Sequence, residues 1–218
     1  MHNERFLIAK KHLKNCAKYV ILYCYRMRKE ASGVPSFTKK AIVESFLSLL
    51  AKKPLEKITV RDVVDDCGVN RNTFYYYFQD TYAVVEELCR IGEERIPTGE
   101  TLGGALSAYF LIAADFAAAH PRAVRNLLAS VGRDGAERYL GGTVERVATE
   151  CLTRAAGKPL TREQLALPVA ALRHAFLGTC VDWLTADKKP EAAALADRMR
   201  RLTDLYAAAL LSELSDKT

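Results

Sequence analysis

Apolar residues follow a helical period from the first well-patterned stretch of the chain onward. Ile42, Phe46, Leu49 and Leu50 stand on one stripe of a helix predicted over 38–52. Two very short helices follow, then a longer one at about 80–95. Segments near 100–119, 121–131, 133–156, 161–186 and 190–215 come next, richer in alanine and with heavier apolar stripes. A basic segment at about 4–29 also reads as helix. Glycine and proline punctuate these segments at Gly33/Pro35, Pro54, Gly68, Pro97/Gly99, Pro121, Gly157/Pro159 and Pro190. No stretch alternates apolar and polar residues between hairpin turns, so the predicted fold class is all-α. The change of character at Pro97/Gly99 sets a domain boundary near residue 96. The chain divides into an N-terminal extension at 1–36, a domain at 37–96 and a helical domain at 97–218.

The stretch from Ile58 to Phe78 contains two helix starts of one design, eleven residues apart. Thr59 is an N-cap with Asp62 three positions on, as in a capping box, and Ile58 can staple onto Val63. Asn70 is the second N-cap, with Val69 able to staple onto Phe74. Gly68 between them supplies the left-handed residue that ends one helix and permits a sharp turn. Two short helices crossing over such a turn form a helix-turn-helix.

With Phe74 and Phe78 in the core, a 100° step per residue turns Asn72, Thr73 and Tyr76 outward, flanked by Arg71 and Tyr75. Arginine pairs with guanine O6/N7 and asparagine with adenine N6/N7; tyrosine hydroxyls and Thr59 suit phosphate oxygens. The N-termini of both helices add positive dipole ends where phosphate would lie. Capping alone also accounts for residues 70–73, and consecutive tyrosines also occur as half-buried packing. The local pattern leaves both readings open.

Residues 37–88 resemble the DNA-binding domain of the TetR family. The likeness runs from Thr38-Lys-Lys-Ala-Ile-Val-Glu-Ser-Phe46 through Lys57-Ile-Thr-Val-Arg-Asp-Val64 to Cys67-Gly-Val-Asn-Arg-Asn-Thr-Phe-Tyr-Tyr-Tyr-Phe78. The resemblance implies a three-helix DNA-binding domain followed by a helical dimerisation and ligand-binding domain. The DNA-contacting set it implies, joined to the residues read above, is Thr38, Lys39, Thr59, Val60, Arg61, Asn70, Arg71, Asn72, Thr73, Tyr75, Tyr76 and Tyr77. Thr59 falls where the family has a phosphate-contacting cap, Arg71, Asn72 and Thr73 where it has base readers, and Tyr75 at its characteristic DNA-contacting tyrosine. The family commonly carries a lysine where this chain has Thr81, so that phosphate contact is missing from the pattern; Lys39 or Lys40 can supply part of the charge.

In the C-terminal half, Leu165, Val169, Leu172, Phe176, Leu177, Val181 and Leu184, then Leu195, Met199, Leu202, Leu205, Tyr206 and Leu210, form two long stripes. Small residues at Ala171, Ala175 and Gly178 allow a partner helix close. A four-helix bundle across a two-fold axis is expected, with Leu172, Phe176, Leu184, Leu202 and Tyr206 in the interface. The same stripes would also serve a monomer core. Tyr109, Phe110, Phe116, Tyr139, His174, Phe176 and Trp183 are the candidate walls of a pocket for a small-molecule effector, though aromatics at helical spacing ordinarily form core.

The formal net charge of +6 adds little, because it is confined to residues 1–36, which carry eight Lys/Arg against two Asp/Glu. Residues 37–95 hold nine against ten. The extension falls outside the family pattern and reads as a DNA-backbone arm, a solvated or membrane-surface helix, or the result of a natural start at Met27. Six cysteines lie scattered with no CxxC pair, as expected of reduced, mostly buried thiols. No phosphate loop, HExxH or nucleophile elbow is present, so neither an enzyme nor a cofactor is expected. The apolar run Tyr19–Tyr25 is far short of a membrane span. The expectation is a cytoplasmic, sequence-specific DNA-binding regulator: a repressor that binds a near-palindromic operator as a homodimer under effector control. The alternative is a protein of this fold that activates, or that acts through a protein partner.

Overall fold

A computed structural model describes residues 36–216, and the N-terminal extension, with Cys16, Cys24, Tyr19–Tyr25 and Met27, lies outside them. The described residues contain eight α-helices, one short 3₁₀ turn and no strand. The first four helices are α1 (Ser36–Leu50), α2 (Val60–Cys67), α3 (Arg71–Tyr77) and α4 (Thr81–Glu93); the second four are α5 (Leu102–Ala119), α6 (Pro121–Ala156), α7 (Arg162–Thr185) and α8 (Ala192–Asp216).

Polar residues start most of these helices. Thr101 accepts from the Gly104 amide at α5, and Thr161 with Gln164 forms a capping box at α7. Pro121 occupies the first turn of α6, where its missing N–H costs nothing. Inside α6 the helix is broken at Gly132, whose φ of 62° and ψ of −166° are open essentially to glycine alone. The predicted segments 121–131 and 133–156 are the two arms of this kinked helix.

Two apolar cores result. One is built from Leu102, Leu106, Tyr109, Phe110, Val144, Val147, Leu152, Leu165, Val169, Leu172, Phe176 and Leu177, with α8 laid over it through Leu195, Met199 and Tyr206. Gly103 allows α8 close: a Cβ there would come within 2.2 Å of the Arg200 carbonyl oxygen. Its amide instead donates to Asp204 Oδ1 at 2.9 Å. Helices α5 and α7 are long and apolar enough to cross a membrane by length and composition, yet their apolar positions supply this core.

The other core joins Ile42, Val43, Phe46, Leu50, Leu55, Ile58, Val63, Val64, Phe74, Phe78, Val84 and Val85. It also takes Ala123 of α6, with Leu127, Val131 and Tyr139 packed against it. The first arm of α6 is therefore a wall of the N-terminal core, although it follows residue 97 in sequence. Cys151 and Cys180 are buried, Cys67 and Cys89 half-buried, and all four are free thiols. Burial pushes Cys89 and Cys180 up to about 12.

Candidate nucleic-acid interface

The turn between α2 and α3 forms by local chemistry. The Thr59 hydroxyl accepts from the Asp62 amide at 3.2 Å while Asp62 Oδ2 accepts from the Thr59 amide at 2.8 Å, which closes the capping box. Lys53 Nζ lies 2.9 Å from the same carboxylate oxygen. The Thr59 hydroxyl, followed by Lys53, holds the Asp62 carboxyl well below its usual range. Gly68 ends α2 at φ 72° and ψ 18°, donating to the Val64 carbonyl. Asn70 Oδ1 then accepts from the Thr73 amide at 2.8 Å and starts α3.

Helix α3 is anchored from below. Phe74 is fully buried and Phe78, the residue after the helix, nearly so, with their rings 5.9 Å apart. That fixes the opposite face toward solvent. Arg71 and Asn72 are exposed, Tyr75 and Tyr76 are 57% and 78% exposed, and Thr73 and Tyr77 are half-buried. Tyr77 meets Tyr76 edge to face at 4.9 Å, and Tyr75 meets Phe74 the same way at 5.7 Å. The aromatic bodies are braced while Tyr75 and Tyr76 remain open to a ligand surface.

The other candidates divide. Arg61 is exposed, with a loose 3.4 Å contact to Asp65 as its charged partner, and Val60 is half-buried beside it at the start of α2. Two hydroxyls are already committed: Thr59 Oγ1 donates to Asp62 at 2.7 Å and Thr73 Oγ1 to Asn70 at 3.0 Å. Thr59 caps α2 and Thr73 donates to the Asn70 cap of α3, so donation from either hydroxyl to a phosphate would require these bonds to be released. Thr38 is half-buried near the start of α1. Lys39 points not outward but to Glu87 of α4, at 2.8 Å. Thr81 is 7% exposed, so the position that commonly carries lysine in the family faces the interior.

Further participants lie outside the predicted set. Asp80 caps α4 by accepting from the Ala83 amide at 2.8 Å, a cap of the same design as Asn70 that the pattern could have revealed. Lys53 and Glu87 act across the fold and give no local sign.

The proposed pocket walls do not gather around a space. Tyr109, Phe110 and Phe176 are buried in the C-terminal core, where Tyr109 stacks on Phe176 at 6.1 Å and Phe110 meets Trp183 edge to face at 5.3 Å. Tyr139 packs against the N-terminal core and Phe116 against His120. His174 is exposed, 3.2 Å from Glu137, on a shallow groove with Arg133, Leu177, Gly178 and Val181. Among the interface candidates, Leu172 and Phe176 are 8% and 5% exposed and belong to the chain's own core. Tyr206 donates to the Pro168 carbonyl at 2.9 Å, and Leu184 is half-buried. Only Leu202 of that set is open, at 68%. Leu205 and Leu167, both exposed, stand with it on the outer sides of α8 and α7.

Residues 42–88 match the family described as bacterial regulatory proteins, tetR family. No curated protein matches the chain in sequence. Among solved structures, the TetR transcriptional regulator from Streptococcus agalactiae 2603V has a TM-score of 0.54 at 22% identity, over 84% of this chain and 98% of that one. A tetR-family transcriptional regulator from Streptomyces coelicolor gives 0.55 at 18% identity, over 83% and 85%. A TetR transcriptional regulator from Rhodococcus sp. RHA1 gives 0.50 at 20% identity, over 78% and 95%. These likenesses extend the common fold well beyond the matched domain.

Proposed function

From the match of residues 42–88 to the tetR family of bacterial regulatory proteins, we propose that the chain is a cytoplasmic repressor of that family that binds a near-palindromic operator as a homodimer. The observation that carries the reading is the two-sidedness of α3. Phe74 and Phe78 lock one face into the core, while Arg71, Asn72, Tyr75 and Tyr76 stand open on the other. Arg71 and Asn72 have the donors and acceptors to read base edges, and the tyrosine hydroxyls and Arg61 reach phosphates.

Dimerisation supplies the second half-site. Leu167 at 78% and Leu202 and Leu205 at 68% exposure are large apolar groups with no cover in a single chain. Pairing α7 and α8 with their copies across a two-fold axis buries them and sets two recognition helices about one DNA turn, ~34 Å, apart. Occupancy of the operator then blocks transcription.

Effector control works through α6. Its first arm, with Tyr139 just beyond the Gly132 kink, packs on the N-terminal core, and the second arm from Val144 onward is part of the C-terminal core. An effector that favours one packing of the C-terminal helices shifts the first arm and so the spacing of the recognition helices.

The test is fluorescence anisotropy on the DNA flanking the gene, at several salt concentrations, with Tyr75→Ala as comparison. Specific binding that weakens steeply with salt and is lost in the variant is expected. Wild type and variant indistinguishable on every duplex would sink the reading.

A further inference from the structure

Lys39 sits in the first turns of α1, but its charge is spent inside the protein. Its ammonium lies 2.8 Å from Glu87 Oε1 and 5.6 Å from the centre of the Phe78 ring. Glu87 is 7% exposed and is gripped from its own helix by Arg90, whose Nη2 is 2.6 Å from Oε1 and whose Nε is 2.9 Å from Oε2. Arg90 also pairs with Glu94. Burial alone would raise the Glu87 carboxyl, but Arg90 and Lys39 outweigh it and keep the group ionised below its ordinary range. Two cations, Lys39 and Arg90, face two carboxylates, Glu87 and Glu94. The Lys39 charge is thus already paired with a buried carboxylate inside the protein.

Its geometry has another use. Phe78 ends the recognition helix, Lys39 belongs to α1 and Glu87 to α4, so one ammonium touches the three elements that fix how α3 is held. An ammonium held over an aromatic face and paired with a buried carboxylate restrains the ring in a way that a solvated surface lysine does not.

We infer that Lys39 is a positioning residue for DNA recognition, clamped between Phe78 and Glu87 to set the recognition helix, and not a phosphate contact. The inference rests on the DNA-binding reading above only for its consequence; the clamp itself is measurable without DNA.

The experiment compares wild type with Lys39→Met, which keeps an unbranched side chain of similar length and removes the ammonium, with Glu87→Gln, and with Arg61→Ala. Binding to duplex DNA is measured against salt, and backbone hydrogen exchange is measured on the free protein. Lys39→Met and Glu87→Gln should each speed exchange across residues 71–78 and weaken binding about tenfold. The slope of log affinity against log salt should stay at the wild-type value. Arg61→Ala should leave exchange alone and flatten the slope by about 0.9, the signature of one lost phosphate contact. A Lys39→Met variant that behaves like Arg61→Ala, or that changes neither readout, overturns the inference. Should the wild type bind no duplex, the DNA reading fails, and exchange across 71–78 still decides whether the clamp exists.

Discussion

Asn126 of α6 donates from Nδ2 to the carbonyl oxygen of Leu50 at 2.7 Å, across 76 positions of sequence. Leu50 is the last residue of α1, and its carbonyl is one of the orphan acceptors left at any helix end. One turn along α6, Ser130 Oγ accepts the Leu55 amide at 3.0 Å. The connection between α1 and α2 is thus closed by a helix that arrives from beyond α5.

Replacing Asn126 with alanine removes a partner from a partly buried carbonyl. The expected loss is about 1–3 kcal/mol, the penalty for an unsatisfied buried acceptor. Chemical denaturation should show it as a lower midpoint with an unchanged slope. A midpoint within error of wild type would mean that water replaces the amide without penalty.

Two glycines of α6 should respond in opposite directions to alanine. A methyl at Gly132 or Gly142 would meet no packed neighbour within 4 Å, so the difference between them is conformational and not steric. Gly132 holds a backbone that alanine avoids, and Gly132→Ala should destabilise by about 1–3 kcal/mol. Gly142 lies exposed within the helix, and Gly142→Ala should stabilise by about 0.5–1 kcal/mol. Thermal melts of the two variants check the pair; shifts of the same sign would contradict the account of the kink.

Acid should weaken the start of α2. The folded Asp62 carboxyl lies below its ordinary value, held there first by Thr59 and then by Lys53. Its contribution is therefore full above an unfolded value of about 3.9 and fades as the pH falls toward the folded one. Asp62→Asn should cost about 0.3–1 kcal/mol at pH 7, the range for a negative group in the first turn of a helix. The gap to wild type should narrow below pH 4, read by urea titration at each pH. A constant gap would remove the carboxylate from the explanation.

Leucines on opposite sides of the last helices should separate assembly from folding. Leu202→Lys with Leu205→Lys places charge on two exposed positions and should yield a folded monomer by light scattering. Leu172→Lys puts a charge into the core and should not fold. A doubly substituted protein that keeps the mass of a dimer would place the interface elsewhere.

What the sequence made readable is what is settled within a few residues. Thr59 with Asp62, Gly68 and Asn70 act over three or four positions, so their spacing alone specified the two helices and the turn. The exposure of Arg71, Asn72 and Tyr76 followed from burying Phe74 and Phe78. Lys39 with Glu87, 48 positions apart, leaves no periodic trace. The same limit explains the C-terminal helices. Apolar residues surround much of α7, and periodicity cannot tell which stripe meets the chain's own core and which remains outside. Leu172 and Phe176 were therefore grouped with Leu202, although they face inward. Of the aromatic set, Tyr109, Phe110, Phe176 and Trp183 share the C-terminal core, while Phe116, Tyr139 and His174 lie elsewhere, a division that residue type alone does not carry.

The kinked helix α6 also bears on how the chain can be cut and recombined. Ala123, Leu127 and Val131 close one side of the core that holds the recognition helix, while the residues between, 97–120, belong elsewhere. The DNA-reading unit is consequently discontinuous in sequence, with α5 threaded through it as an insertion. A fragment ending at residue 96 would lose Ala123, Leu127 and Val131 from that core and the Asn126 amide from the Leu50 carbonyl, and would tend to aggregate. A chimera that joins the helix-turn-helix to another C-terminal domain must carry 121–131 with it and keep the glycine joint that follows.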